Sequence, residues 1–196
     1  MNAPSINYAE VANQIQCGES IFPKVVVNDG SVSTLQECEQ WVKQHLAELE
    51  SELKKSGAVL FRGFPIDSVE TFDRFSNAFG YPNFTYKESL SNAVRINFTE
   101  RVFTANEAPK EVEIYLHHEM AQTPISPSKL FFFCKAAAEH GGQTPICRSD
   151  MLFDALSEQA PELAQDFEKK GLKYTTHMPA EDDHASGQGR SWKSTL

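Results

Sequence analysis

The sequence predicts an α+β fold with a mainly β core, and three stretches carry that prediction. Residues 34 to 57 hold a capped helix with one apolar stripe, Glu111 to Met120 alternates apolar and polar residues, and Leu130 to Cys134 is an unbroken apolar run. An amphipathic helix repeats every three to four residues and a half-buried strand every second one, so the first stretch is helical and the second is a strand. The third reads as a strand buried on both faces. With 196 residues, 40% of them hydrophobic and 14 of them Phe, the chain has material for a sizeable core.

Taken in order, residues 1 to 22 are polar and show no period. Pro23 to Val27 then reads as a short strand, closed by the turn formers Asn28, Asp29 and Gly30. Thr34 and Glu37 have the T-x-x-E spacing of a capping box. Leu35, Cys38, Val42, Leu46, Leu49 and Leu53 continue the stripe, Lys54 and Lys55 suit the negative end of the helix dipole, and Gly57 is a natural stop. His45 is expected to be a solvated residue of this helix. Gly57 to Pro65 leaves the helix as a buried strand, and Asp67 or Ser68 caps a second helix that points Val69, Phe72, Phe75 and Phe79 inward before Gly80.

Residues 81 to 93 have loop composition, followed by weaker strand candidates at Val94 to Phe98 and Arg101 to Thr104. Past the Glu111 to Met120 stretch, Thr123 to Ser128 is a Pro- and Ser-bearing connection. Lys129 to Ala138 begins as the buried strand, the loop Glu139-His-Gly-Gly142 carries glycines suited to positive φ, and Gln143 to Cys147 returns beside it. Asp150 to Leu156 and Pro161 to Lys170 are short helices, and Leu172 to Thr176 is one more strand candidate. The segment Pro179 to Arg190 is polar and Gly-bearing.

Charge and cysteine usage exclude several functions. The net charge of −9, from 27 acids against 18 bases, comes without a basic run, which argues against nucleic acid or an anionic membrane as partner. Cys17, Cys38, Cys134 and Cys147 show neither C-x-x-C spacing nor a disulfide framework, so a reducing, cytoplasmic setting is expected. No apolar run approaches the length of a membrane span, and the N-terminus lacks the pattern of a signal peptide.

The chemistry-bearing residues lie in the alternating stretch. At strand spacing His117 and Glu119 share one face, while His118 points away with Val112, Ile114, Leu116 and Met120. An imidazole and a carboxylate converging on one cation make two thirds of the 2-His-1-carboxylate triad that holds non-haem Fe(II). A His-x-Glu pair also arises by chance in many chains, so by itself it marks a candidate and no more. His177 and His184 could each supply a third ligand, but both are expected to be ordinary loop histidines.

Five runs, in order, carry a resemblance: GAVLFRGFPI, RVFTANEAP, HHEMAQTP, PSKLFFFCKAAAEHGGQTPI and GRSWKSTL. Together they resemble the TauD/TfdA superfamily of Fe(II)- and 2-oxoglutarate-dependent oxygenases, and within it the clavaminate synthase-like proteins. The resemblance implies a double-stranded β-helix, or jelly roll, with flanking helices. On that reading residues 1–196 are one oxygenase domain, with 1–56 as an N-terminal strand and helix support and 57–196 as the first part of the β-helix core. It implies His117 and Glu119 as metal ligands and Thr144 as the hydroxyl that contacts a carboxylate of 2-oxoglutarate, with Fe(II), 2-oxoglutarate and O₂ as cofactor and cosubstrates.

The family further requires a distal His and, after it, an Arg that pairs with 2-oxoglutarate. Both belong downstream of the GRSW block, so Arg190 is not that Arg and the domain is expected to be incomplete at its C-terminus. The implied activity is that of a dioxygenase oxidising, most simply hydroxylating, a small organic substrate with release of succinate and CO₂. Two alternatives stand beside it: a catalytically dead jelly-roll remnant or binding module, and a cupin-like zinc enzyme. The latter is disfavoured because zinc prefers further nitrogen or sulfur donors.

Overall fold

A parallel β-α-β crossover organises the first part of the chain. The computed structural model describes residues 5–84, 95–105, 107, 111–121, 123, 125–175, 178–180 and 191–195. The chain divides into two compact units, Met1–Pro82 with Phe133–Ala136, and Asn83–Phe132 with Ala137–Leu196.

In the first unit the elements are β1 (Tyr8–Ala9), β2 (Ile15–Cys17), β3 (Ser20–Phe22), β4 (Lys24–Val27), α1 (Leu35–Ser56), β5 (Val59–Arg62) and α2 (Val69–Ala78). One sheet has the order β1-β4-β5. β4 runs antiparallel to β1, with Tyr8 opposite Val26, and parallel to β5, with Val25 opposite Leu60. A parallel pair needs a long crossover, and α1 supplies it. β4 lies between two neighbours, and Val25 and Val26, which point to opposite faces, are both fully buried. β2 and β3 form a separate antiparallel hairpin. The patternless residues 1 to 22 thus contain three strands, each too short to display a period.

The expected capping box of α1 is present. Thr34 Oγ1 accepts from the Glu37 amide at 3.2 Å, and Glu37 Oε2 accepts from the Thr34 and Ser33 amides, each at 2.9 Å. Those backbone donors hold the Glu37 carboxyl below its ordinary range. At the other end Gly57 takes φ 80°, and its amide donates to the Leu53 carbonyl at 2.8 Å. His45 corrects the expectation of a solvated residue, being only 6% exposed. It lies on the buried line of Cys38, Trp41, Val42 and Leu49, with its ring 4.6 Å from that of Trp41 and Nδ1 donating to the Trp41 carbonyl at 2.8 Å. The tilted contact with Trp41 and a local acceptor serve both halves of an amphipathic ring, which makes the site habitable for His.

Aromatic side chains join α1, β5 and α2. Phe61 meets Phe75, Phe64 and Phe79 edge-on, at 5.2, 5.7 and 6.1 Å, and Trp41 lies 5.0 Å from Phe64. Ser68 caps α2 through the Thr71 amide at 3.2 Å. Arg74 grips Glu39 of α1 with both carboxylate oxygens, at 2.7 and 2.8 Å. Phe133 stacks on Phe72 at 5.2 Å, which attaches the 133–136 segment to this unit.

The second unit holds α3 (Ser149–Gln159), α4 (Pro161–Lys170) and α5 (Trp192–Thr195). The weak strands at Val94 to Phe98 and Arg101 to Thr104 form, within the described residues, one antiparallel bridge of Asn97 with Phe103, flanked by Thr104 N donating to Ile96 O and Phe98 N donating to Val102 O, both at 2.9 Å. Gly141 and Gly142 take φ 67° and 73°, as the loop reading requires. A Cβ on Gly142 would come within 2.8 Å of Ala138 Cβ.

The other expected strands, in 111–120, 129–138, 143–147 and 172–176, are not formed among the described residues. Val112, Ile114 and Leu116 are 47%, 53% and 61% exposed. Alternation states which side a strand would bury, but a strand exists only where a neighbour takes up its backbone groups. No helix among the described residues is long and apolar enough to cross a membrane.

The α1 cap yields two predictions. Thr34→Ala is expected to cost about 1 kcal/mol, read as a lower urea midpoint at unchanged m value. The folded-state pKa of Glu37 is lowered, so its contribution is complete above the unfolded carboxylate pKa and is lost as pH falls through the folded value. Glu37→Gln, which cannot titrate, is therefore expected to reduce the loss of stability on acidification, and an unaltered pH profile would contradict this.

Candidate functional site

The segment from Glu113 to Met120 presents the candidate ligands as irregular chain that ends in a turn. The Ala121 amide donates to the His118 carbonyl at 3.2 Å, and both the amide and the hydroxyl of Thr123 donate to the Met120 carbonyl at 3.0 Å. Met120 sits in the left-handed region at φ 61° with its side chain 3% exposed. A non-glycine residue held there signals a backbone that its surroundings over-determine. This turn fixes the residue before it, Glu119.

His117 is exposed, and its Nδ1 lies 2.6 Å from the Tyr115 carbonyl oxygen. A carbonyl only accepts, so Nδ1 carries a proton and Nε2 is the nitrogen whose lone pair a cation would take. Metal-ligating histidines commonly have their second nitrogen fixed in this way. Tyr115 in turn donates its hydroxyl to Glu113 Oε2 at 2.6 Å, a bond that raises the pKa of the phenol. His118 is engaged elsewhere, with Nε2 hydrogen-bonded to Ser149 Oγ at the start of α3.

Glu119 is half-buried and accepts at Oε1 from Arg95 Nη2 at 3.1 Å. No motif points to Arg95 or to Ser149. Arg95 lies 24 residues before its partner, joined to it by no periodicity, and only its place in a strand candidate beside Thr104 hinted at an ordered position.

Thr144 is exposed, in a stretch without regular structure. No group of three or more His, Cys, Asp or Glu side chains suited to a metal occurs among the described residues. His177, His184 and Arg190 lie outside them. The donors that are described have suitable chemistry for a divalent transition ion: an imidazole with its lone pair directed to Nε2, and a carboxylate two residues on.

Comparison with known proteins extends over most of the chain. The sequence profile of the taurine catabolism dioxygenase TauD, TfdA family matches residues 28–194. A clavaminate synthase-like protein of Arabidopsis thaliana is 43% identical over 157 residues, covering 80% of this chain and 47% of that protein. The dapdiamide synthesis protein DdaC of Enterobacter agglomerans is 31% identical over 122 residues, covering 62% of this chain and 36% of its own length. The chain therefore spans less than half the length of either relative.

Proposed function

The chain belongs to the TauD/TfdA dioxygenase family, and from that membership we propose that the intact protein is an Fe(II)- and 2-oxoglutarate-dependent dioxygenase built on a double-stranded β-helix. The observation that supports the metal assignment is the His117 ring, whose Nδ1–H is committed to the Tyr115 carbonyl so that Nε2 is the donor nitrogen. His117 and Glu119 are assigned as two ligands and Thr144 as a hydroxyl donor to a carboxylate of 2-oxoglutarate. Bound Fe(II) would supply the activation of O₂ that couples decarboxylation of 2-oxoglutarate, to succinate and CO₂, with oxidation of the substrate.

The residues of this chain contribute binding and orientation. With Nδ1–H of His117 spent on a carbonyl, Nε2 is the ring nitrogen that would take the cation. The carboxylate of Glu119 brings negative charge that offsets part of the cation's. Thr144 adds a neutral donor to an anionic acceptor, a bond stronger than one between two neutral groups. One relative is named for dapdiamide synthesis, which supports a small organic substrate, and oxidation is read as hydroxylation of a C–H bond. The spacing of the four cysteines is the ground on which a reducing, cytoplasmic setting is assigned.

Two experiments on the intact protein test this reading. His117→Ala and Glu119→Ala are each expected to abolish Fe(II) binding and succinate formation, whereas His118→Ala leaves Fe(II) affinity near that of the wild type; equal loss in all three would refute the ligand assignment. Thr144→Val keeps the shape and removes the donor, at an expected cost of about 1.5 to 3 kcal/mol. The Kd for 2-oxoglutarate should then rise roughly ten- to a hundredfold, and an unchanged Kd would assign Thr144 to packing alone.

A further inference from the structure

We propose that Arg95 is the positioning residue for Glu119, orienting its carboxylate for the cation through the bond to Oε1; this rests on the reading of Glu119 as an iron ligand. The guanidinium is itself held from several sides. Nη1 donates to the Thr104 carbonyl at 3.4 Å, the Phe103 ring lies 5.2 Å from Cζ, and Nη2 donates to Glu119 Oε1 at 3.1 Å. Thr104 and Phe103 belong to the partner segment of the hairpin, locked across from Arg95 by the Asn97–Phe103 bridge and by Thr104 N donating to Ile96 O at 2.9 Å.

The exposure of the pair separates it from an ordinary surface ion pair. The Arg95 and Glu119 side chains are 17% and 18% exposed, so neither sweeps freely through water and the geometry persists. On the other side Glu119 adjoins buried Met120, whose left-handed backbone is tied down by Thr123. The carboxylate is thus fixed through its main chain by the turn and through its head by the guanidinium. Hydrogen bonding of a ligating carboxylate by an outer partner is a general means of aiming it. A planar fork can bond Thr104 O and Glu119 together, which the single point charge of a lysine does not reproduce.

The test is anaerobic Fe(II) titration of the intact protein and of its Glu119→Gln, Arg95→Met and Arg95→Lys variants. The urea midpoint of each metal-free protein and the d–d spectrum with Co(II) in place of iron are recorded alongside. Arg95→Met is expected to raise the Fe(II) Kd by about 10- to 100-fold and to shift the Co(II) bands. Arg95→Lys is expected to keep the native urea midpoint and still to raise the Kd about tenfold, which a purely structural role would not produce. Wild-type Kd and Co(II) bands in Arg95→Met, beside a Glu119→Gln that has lost the metal, overturn the positioning role and leave the ligand assignment standing. Glu119→Gln binding Fe(II) like the wild type overturns the ligand assignment, and the role of Arg95 with it. Should Arg95→Met fail to fold, Arg95→Lys decides alone: a raised Kd at native midpoint upholds the proposal, and a wild-type Kd overturns it.

Discussion

A strand's backbone groups have to be bonded to a neighbour, and this protein meets that demand most completely at β4. Between β1 and β5 it can place Val25 and Val26 on opposite faces and bury both. Everything around it follows from the same requirement. The parallel partner β5 has to be reached by a crossover, α1 is that crossover, and its buried line of Cys38, Trp41, Val42, His45 and Leu49 is where the helix lays its apolar stripe. Burial there pushes the Cys38 thiol up to about 11, with Glu39 adding to the effect, so this cysteine is packing material and not a reactive thiol.

Polar contacts in the first unit repeat one device, a hydroxyl or guanidinium that ties an α1 carboxylate to another element. Tyr8 donates to Glu48, Tyr81 to Glu50 and Arg74 to Glu39. Burial, together with the Glu50 acceptor, pushes the Tyr81 hydroxyl up to about 12. The acidic stretch of α1 thereby becomes a set of acceptors for its surroundings and does more than keep the chain soluble. In the second unit the Arg95–Glu119 pair uses the same chemistry for a carboxylate with a different assignment, next to a turn instead of a helix. Among the charged pairs described, it is the one whose more exposed partner is the least exposed, at 18% against 29% in Lys24–Glu52.

The candidate site is defined by contacts that cross the chain as well as by the motif. His117 and Glu119 are named by spacing, while the contacts that hold each come from other residues: the Tyr115 carbonyl accepts from Nδ1 of the one, and Arg95 donates to Oε1 of the other. A peptide carbonyl two residues away leaves no trace in side-chain pattern, since every residue carries one. Arg95 is equally silent in the sequence because a contact across 24 residues, not spacing, joins it to Glu119.

What is local is legible in the sequence. The Thr34–Glu37 box, the Gly57 stop, the Ser68 cap, the Pro161 start and the positive-φ glycines of the 139–142 loop are each settled within about one helical turn, and all are found. The ordered blocks that identify the family are likewise a property of the chain read in one dimension. That residues 8–22 contain strands, that His45 is inside and that Glu119 is paired with Arg95 depends on packing in three dimensions. So does the exposure of the alternating residues Val112, Ile114 and Leu116 in the described structure. A cap is completed by its own neighbours, whereas a strand or an ion pair across 24 residues is completed by a partner that local spacing does not select.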